Sequence, residues 1–467
     1  MRIFPRIAVA LVVAVSLMFG VAGGALAGDR TEDRLKALED RIRAQDEEIR
    51  KLRGDLDETR PDGEDLESQL DEYFAREEGG GVWDEPGTLV PQYSKGVKLK
   101  SNDKATEIKF GGRIMVDFAW FMPNDKMKDE LGDPDPGAEF RRARFFMSGT
   151  IYSNVFYKAQ FDFGGGDATF KDMYIGVKKL PVVGSVKVGH MKVPFSLEEL
   201  TSSKYITFME RALPVEAFSP SRATGIQVGD RLMDGNMHWN VMWFSENADD
   251  YGDAAGLESS FAARVAWAIV NEDEGRNLIH VGLSFLHRDP YSNTTRHRAR
   301  PSAHLSPYRI ADTGTFEVDS YDMIGLEFAW VMNSLSVQFE YMMSMNHDGD
   351  TDVGDPTLMG GYVYVSYWLT GEHRPYKKGA FSRVKPLNDF GEDGGGAWEL
   401  GLRLAMVDLD DFDSGYAAPD TLKATNITVG ANWHLNPNTR VMFNYVLSDT
   451  DDVGSVNVFE MRFQIDF

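Results

Sequence analysis

Cysteine is missing altogether from the 467 residues. That excludes disulfides, cysteine-ligated zinc, thiol nucleophiles and a lipidated N-terminal cysteine, while leaving the compartment open. Proline is scarce, at 19 residues, and 42% of the chain is hydrophobic, so it is too apolar to be disordered. Positive charge is in deficit. The 49 Lys and Arg face 73 Asp and Glu, a net −24 that argues against non-specific nucleic-acid binding through a basic surface. Long apolar runs are missing after residue 27, where no stretch approaches the ~18 residues that signal a spanning helix. Any membrane crossing must therefore be made by strands. No G-x-S-x-G, H-E-x-x-H or phosphate-binding loop organises the Ser and His residues, so the chain reads as a non-enzyme with no implied cofactor. Present instead are aromatics at 12% and 45 glycines, a composition suited to apolar residues in alternation rather than in blocks.

Arg2 and Arg6 flank the start of an apolar stretch, 7–21, followed by small residues ending Ala25-Leu26-Ala27. This predicts a cleaved secretory signal over 1–27, the apolar part being short for an anchor helix. Residues 28–78 predict a periplasmic coiled-coil stalk. Leu35, Leu38, Ile42, Ile49, Leu52 and Leu56 hold a and d positions of one heptad frame, with Gln45 as its polar member, although a single solvated helix is the alternative. Pro61 and Gly63 break the frame, Leu66, Leu70 and Tyr73 resume it, and Gly79-Gly80-Gly81 opens a linker over 79–106.

From Glu107 the dominant period is two. Ile108, Phe110, Gly112, Ile114, Val116, Phe118 and Trp120 share one face. At the other end Phe459, Met461, Phe463, Ile465 and Phe467 alternate with charged and polar residues up to a terminal aromatic. Such segments fall near 107–121, 139–152, 155–163, 168–178, 183–191, 223–231, 236–245, 258–271, 276–288, 317–331, 333–344, 360–370, 396–408, 421–435, 438–447 and 456–467. An even count of spanning length predicts an all-β fold, a 16-stranded antiparallel transmembrane barrel over 107–467, with an aqueous lumen. Short turns such as Ser153-Asn154, Asp234-Gly235 and Asn436-Pro437-Asn438 then lie on the periplasmic side and the long segments outside, with 371–395 long yet periplasmic. Trp120, Phe121, Tyr152, Trp243, Phe244, Tyr367 and Trp368, near strand ends, are expected in the interfacial belts.

Parity also sorts the charges, because a lipid-facing Arg near the midplane costs about 2–4 kcal/mol. Arg113, Arg142, Arg144, Lys158, Arg264, Arg403 and Arg462 are predicted to face the lumen, together with Asp117, Asp162, Asp172, Glu327, Glu340, Glu399, Glu460 and Asp466. That mixture leaves ion selectivity undecided. Between Tyr291 and Ala311 lie Arg296, Arg298, Arg300 and Arg309 with no acid. At a pore mouth they would concentrate anions, and on the surface they would bind lipopolysaccharide phosphates. A second acid-free basic run holds Arg374, Lys377, Lys378, Arg383 and Lys385. His287, His297 and His304 are spaced too loosely among arginines to predict a metal site.

The runs EFRRARFFMSGTIY (139–152), FKDMYIGVK (170–178), VGHMKVPFSLEELTSSKYITFMERALP (188–214) and LTGEHRPYKKGAFSRVKP (369–386) resemble the phosphate-selective porin O and P family. The resemblance implies a homotrimeric outer-membrane porin passing small inorganic anions, phosphate above all, with 192–222 as a constriction loop inside the lumen. Carried over on the matching motifs, Arg113, Arg141, Arg142, Lys158, Asp172, Lys192 and Ser196 would form the anion-binding constriction. Guanidinium and ammonium groups would replace part of the ion's hydration, and Asp172 would temper the field. Strict parity points Arg141 outward, and a bulge would be needed to turn it in. The loop itself balances Lys192, Lys204, Arg211 and Arg222 against Glu198, Glu199, Glu210 and Glu216. A differently selective or general porin, or a barrel that tethers the outer membrane to peptidoglycan through its stalk, are the alternatives.

Overall fold

The computed structural model describes residues 87–467 apart from 94–95, 246–259, 348–352, 392–393, 414–415, 417–418, 420 and 452. The expected signal (1–27) and coiled-coil stalk (28–78) lie outside the described residues. Sixteen strands form the wall: β1 Glu107–Pro123, β2 Gly137–Ile151, β3 Val155–Asp162, β4 Thr169–Leu180, β5 Gly184–Lys192, β6 Arg222–Leu232, β7 Met237–Ser245 and β8 Ser260–Glu272, then β9 Asn277–Arg288, β10 Ser320–Met332, β11 Leu335–His347, β12 Thr357–Trp368, β13 Ala397–Asp408, β14 Lys423–Asn436, β15 Thr439–Thr450 and β16 Gly454–Asp466. Every one corresponds to a segment read from the period-two pattern, with ends displaced by at most three residues. Each pairs antiparallel with its neighbours, and β16 closes on β1 in a register running from Val456↔Pro123 to Asp466↔Arg113. The terminal Phe467 and Gly112 exchange backbone hydrogen bonds of 2.8 and 3.2 Å. Closure leaves no free sheet edge in the wall, which is the condition for a sheet to sit in lipid.

The segment read as a linker is partly ordered. Leu89–Tyr93 and Val97–Ser101 form a hairpin whose second strand pairs with β1 from Val97↔Phe110 to Lys100↔Glu107, below the end of β16. Alternation also corrects the belt. Tyr152, Trp120, Trp243 and Tyr367 are exposed, whereas Phe244 and Trp368 are buried on the inner side. Adjacent residues of a strand point to opposite faces, so only one member of Trp243-Phe244 and of Tyr367-Trp368 can reach the lipid.

Three long connections turn into the barrel. Loop 192–222, carrying α1 (Leu197–Leu200) and α2 (Leu213–Phe218), is seated by aromatic and proline side chains over inward-facing glycines. A Cβ added to Gly325 would stand 3.0 Å from the Phe195 ring, one on Gly401 or Gly430 3.0 or 3.1 Å from Phe208, and one on Gly360 2.9 Å from Pro214. The missing side chains are what let the loop approach the wall. Loop 289–319 packs on it through Ala299, Tyr308 and Ile310 in one apolar cluster with Phe195, Phe208 and Phe218. Segment 369–396, on the short-turn side, also enters. Tyr376 and Phe381 pack with Leu197, and the Phe381 N–H reaches Thr201 Oγ1 at 3.4 Å. Phe208→Ala should cost about 3–5 kcal/mol of loop docking. Single-channel recordings should then show a larger, noisier conductance, while heat-modifiable gel mobility reports an intact barrel.

Candidate functional site

Two chambers in the lumen are lined mainly by β1–β7 and the inserted loops. An upper chamber of about 380 Å³ is lined by nine basic residues, Arg113, Arg141, Arg142, Arg144, Lys158, Lys171, Lys192, Arg211 and Arg222, and two acidic ones, Asp172 and Glu199. A lower chamber of about 250 Å³ is lined by Lys187, Lys192, Asp172, Arg264, Lys378 and the apolar or neutral residues between them. Asp172, Lys192 and Leu200 border both. Of the residues singled out in the sequence, Arg113, Arg141, Arg142, Lys158, Asp172 and Lys192 therefore come together. Ser196 does not. It is buried, its Oγ accepts the Glu199 N–H at 3.1 Å to cap α1, and it lines neither chamber.

Two bulges place side chains that alternation misassigns. Opposite Met115 and Val116 of β1 stand Arg142 and Phe140, so Arg141 is the extra residue and turns inward. Its guanidinium makes a bidentate pair with Glu210 of the loop, at 2.8 and 2.9 Å. Likewise Ala159 and Phe161 of β3 face Met173 and Phe170 of β4, so Lys171 and Asp172 together oppose Gln160 and both reach the upper chamber. Asp172 is clamped by Lys158 and by Arg222 Nε at 2.8 Å. Lys171 was not visible to a strict period of two, whereas Lys187 was, lying on the inward parity of β5 with Ser185 and Gly189.

Apart from Asp172, which lines both chambers, the acids predicted to face the lumen lie inside but line neither chamber. Glu327 pairs with Arg264 at 2.6 Å, Glu399 accepts from Thr207 and Asn432, and Asp466 takes Lys204 and Arg383. Glu340 accepts the Leu197 and Glu198 N–H groups at 2.9 and 2.7 Å, holding the start of α1 against the wall. Glu198 turns to Arg403 at 3.6 Å, and Glu210 reaches Arg462 at 2.6 Å. Burial alone would raise the Glu210 carboxyl. Arg141, Arg142 and Arg462 instead hold it well below the usual carboxylate range. The formal balance of the loop is thus partly sorted in space: Glu198 and Glu210 engage wall arginines, whereas Glu199 lines the upper chamber beside Arg211 and Arg222 and pairs with Arg211 at 2.8 Å and Lys192 at 3.2 Å.

The basic outer loop is neutralised in the same manner. Arg296 binds Asp312 bidentately at 2.7 and 2.6 Å, and Arg300 and Arg309 share Glu216 at 3.4 and 3.3 Å, leaving Arg298 exposed. The second basic run divides. Arg374 is buried over the Phe381 ring at 3.6 Å, Arg383 joins Asp466, and Lys378 lines the lower chamber.

The fold and its inserted loops define a bacterial outer-membrane porin. Residues 108–467 match the phosphate-selective porin O and P family, and the chain belongs to that family. Porin O of Pseudomonas aeruginosa is 28% identical over 413 residues, covering 81% of this chain and 91% of its own length. Among solved structures, a loop-deletion form of the Vibrio cholerae outer-membrane protein OmpT (12% identity, TM-score 0.50, 78% of this chain and 100% of that one) has a similar fold. So does Salmonella typhi OmpF in complex with daunomycin (13% identity, TM-score 0.50, 81% and 100%). Family and fold are those of non-catalytic porins, so the chain is not an enzyme.

His297 couples loop 289–319 to pH. Burial against Phe218, Phe316 and Tyr321 pushes its imidazole down to about 4, only partly opposed by the Ala217 carbonyl that accepts from Nδ1. A base whose pKa falls on folding is held neutral by the fold. Docking is at full strength above pH 6.5 and weakens as pH falls towards 4, by about 1.36 kcal/mol per pH unit. Protease cleavage within 289–319 should rise across that window in the wild type and stay flat in His297→Phe.

Proposed function

We propose that the protein is a passive porin for anions, phosphate or a related phosphorylated ion, in which Arg113, Arg142, Lys158 and Lys192 guide the ion. The observation that carries this reading is the segregation of charge. Basic side chains outnumber acids nine to two around the upper chamber, while most inward carboxylates are tied up beneath the loops. Arg142 Nη1 makes only long contacts, 3.8 Å to Glu210 and 3.6 Å to Met115 Sδ, and Arg113 spends one nitrogen on Ser203 Oγ at 2.7 Å. Both keep donors for oxyanion contacts, and a guanidinium matches phosphate oxygens in pairs. Lys171 and Arg222 extend the same surface. Arg141, held by Glu210, contributes field rather than direct contact. Asp172 between the chambers offsets part of that field, so that a bound anion leaves again. Lys187 and Lys378 continue the basic lining below it.

A homotrimer belongs to the same reading. The outward faces of β2–β5 expose Phe145, Phe161, Phe170, Ile175 and Val188 without a tryptophan among them, as befits a wall covered by protein rather than by a bilayer interface. Phe161 is half-buried, and the others are exposed in the single chain. The stalk as a link to peptidoglycan, and lipopolysaccharide as the partner of Arg298, are further parts of the proposal.

In a planar bilayer under a salt gradient, the purified protein should give an anion-selective reversal potential and a chloride current blocked by added phosphate. Arg142→Ala and Lys192→Ala should each weaken block by roughly tenfold or more, the scale of one lost charge-assisted contact. A cation-selective pore that ignores phosphate would refute the reading. Unchanged block in both variants would refute the residue assignments.

A further inference from the structure

A third cavity lies apart from both chambers, beside the 436–438 turn at the short-turn end of the barrel. Three parts of the chain meet around it. Lys204 and Thr207 come from loop 192–222, Arg374 and Arg383 from segment 369–396, and two inward-facing rows of the wall close it. In one row Trp368 of β12 stands opposite Glu399 of β13, and in the next His434 of β14 stands opposite Arg440 of β15. The indole and imidazole rings lie 5.0 Å apart, and the two residues are 1% and 9% exposed. Trp368 Nε1 and His434 Nε2 are both buried without a hydrogen-bond partner. Charge is unbalanced in the same place. Four cations, Lys204, Arg374, Arg383 and Arg440, meet two carboxylates, Glu399 and Asp466. Lys204 and Arg383 share Asp466, and Glu399 spends its oxygens on Thr207 and Asn432. Arg374 and Arg440, both buried, have no carboxylate partner among the described residues. Arg374 donates to Ser336 Oγ and Gln338 Oε1, each at 3.2 Å, and Arg440 to Gln464 Oε1 and the carbonyls of Ile206 and Ser203.

We infer that this cavity binds one halide ion, with Trp368 Nε1 and His434 Nε2 as its hydrogen-bond donors. An indole N–H is a donor only, and the imidazole supplies a second N–H when its proton is on Nε2. A water molecule could accept from both, yet it would leave two surplus positive charges in a place shielded from solvent. An anion offsets one of them. The volume, about 20 Å³, is on the scale of a single water site, which admits a monatomic ion and excludes phosphate with its four oxygens. Bound there, the ion pins loop 192–222 and segment 369–396 to β12–β15. The cavity shares no lining residue with either chamber, so the inference is independent of which ion the lumen passes.

The test uses the full protein in detergent. Crystals grown in bromide, with data collected at the bromine absorption edge, should show an anomalous peak between Trp368 Nε1 and His434 Nε2. In solution, trypsin cleavage at the exposed Lys377, Lys378 and Lys385 should be slower in chloride than in gluconate at equal ionic strength. The slowing should be roughly tenfold for each tenfold rise in chloride above its dissociation constant. Trp368→Phe keeps an aromatic ring and removes the donor, and should raise the half-protecting chloride concentration by roughly tenfold or more. Where that variant lacks the heat-modifiable mobility of a folded barrel, His434→Phe replaces it. An absent peak, or density without anomalous signal as a water gives, overturns the inference. A peak without chloride-dependent protection is binding at crystal concentration only, and overturns it as well. The same chloride dependence in wild type and folded variant overturns the assignment of the donors.

Discussion

The arrangement depends on what happens to Arg462. It lies on the last strand, inside the barrel and fully buried, and its guanidinium spans Asp117 of the first strand at 2.6 Å and Glu210 of loop 192–222 at 2.6 Å, with the Met209 carbonyl at 2.5 Å. One buried cation thus ties barrel closure to loop position. Removing either partner of such a group leaves an uncompensated charge, at about 3–5 kcal/mol. Glu210 passes the constraint on, because its other contacts are Arg141 and Arg142. Fixing the loop therefore also fixes the basic strip at the mouth of the upper chamber.

Loop docking and charge segregation are two views of one event. Phe195, Phe208 and Pro214 approach the wall where glycines leave room, and the apolar contact excludes water from one side of the lumen. Of the carboxylates on that side, Glu327, Glu340 and Glu399 are paired by arginine, backbone N–H or amide donors, whereas Glu460 keeps a buried oxygen without a partner. Arginines on the same side, Arg264, Arg403 and Arg462, are consumed with them. Little of that charge is left facing the open half. The field there is set mainly by the residues of β1–β6, where bulges at Arg141 and at Lys171-Asp172 add inward charge beyond what a regular strand supplies. Segment 369–396 repeats the strategy from the other end. The Gly379 carbonyl accepts from Arg264 at 3.0 Å and Tyr376 hydrogen-bonds His280 at 2.8 Å, which leaves Lys378 beside the lower chamber.

The strands were legible because alternation is a local property. Lipid on one side and water on the other impose a period of two on every wall segment, and each strand carries its own copy of that signal. Arg113, Arg142, Lys158 and Asp172 could be placed on the inner face from it. Phe244 and Trp368 were misplaced only where strand ends were counted without applying that rule. The rule could not place Lys171, whose orientation comes from one extra residue in one strand. Ser196 illustrates the opposite failure: its motif was familiar, yet its hydroxyl is committed to the first turn of a helix.

By itself, then, the sequence determined a sixteen-stranded antiparallel wall, the face of most residues along it, and a pool of inward charges of both signs. Only the tertiary structure decided which of those charges an ion could meet. The reason is separation along the chain. Glu210 and Arg462 are 252 positions apart, Arg141 and Glu210 69, and Leu197 and Glu340 143. No local pattern encodes which carboxylate will lie against which cation. That choice is made where loops fold back into the lumen, and it turns a mixed wall into a basic path.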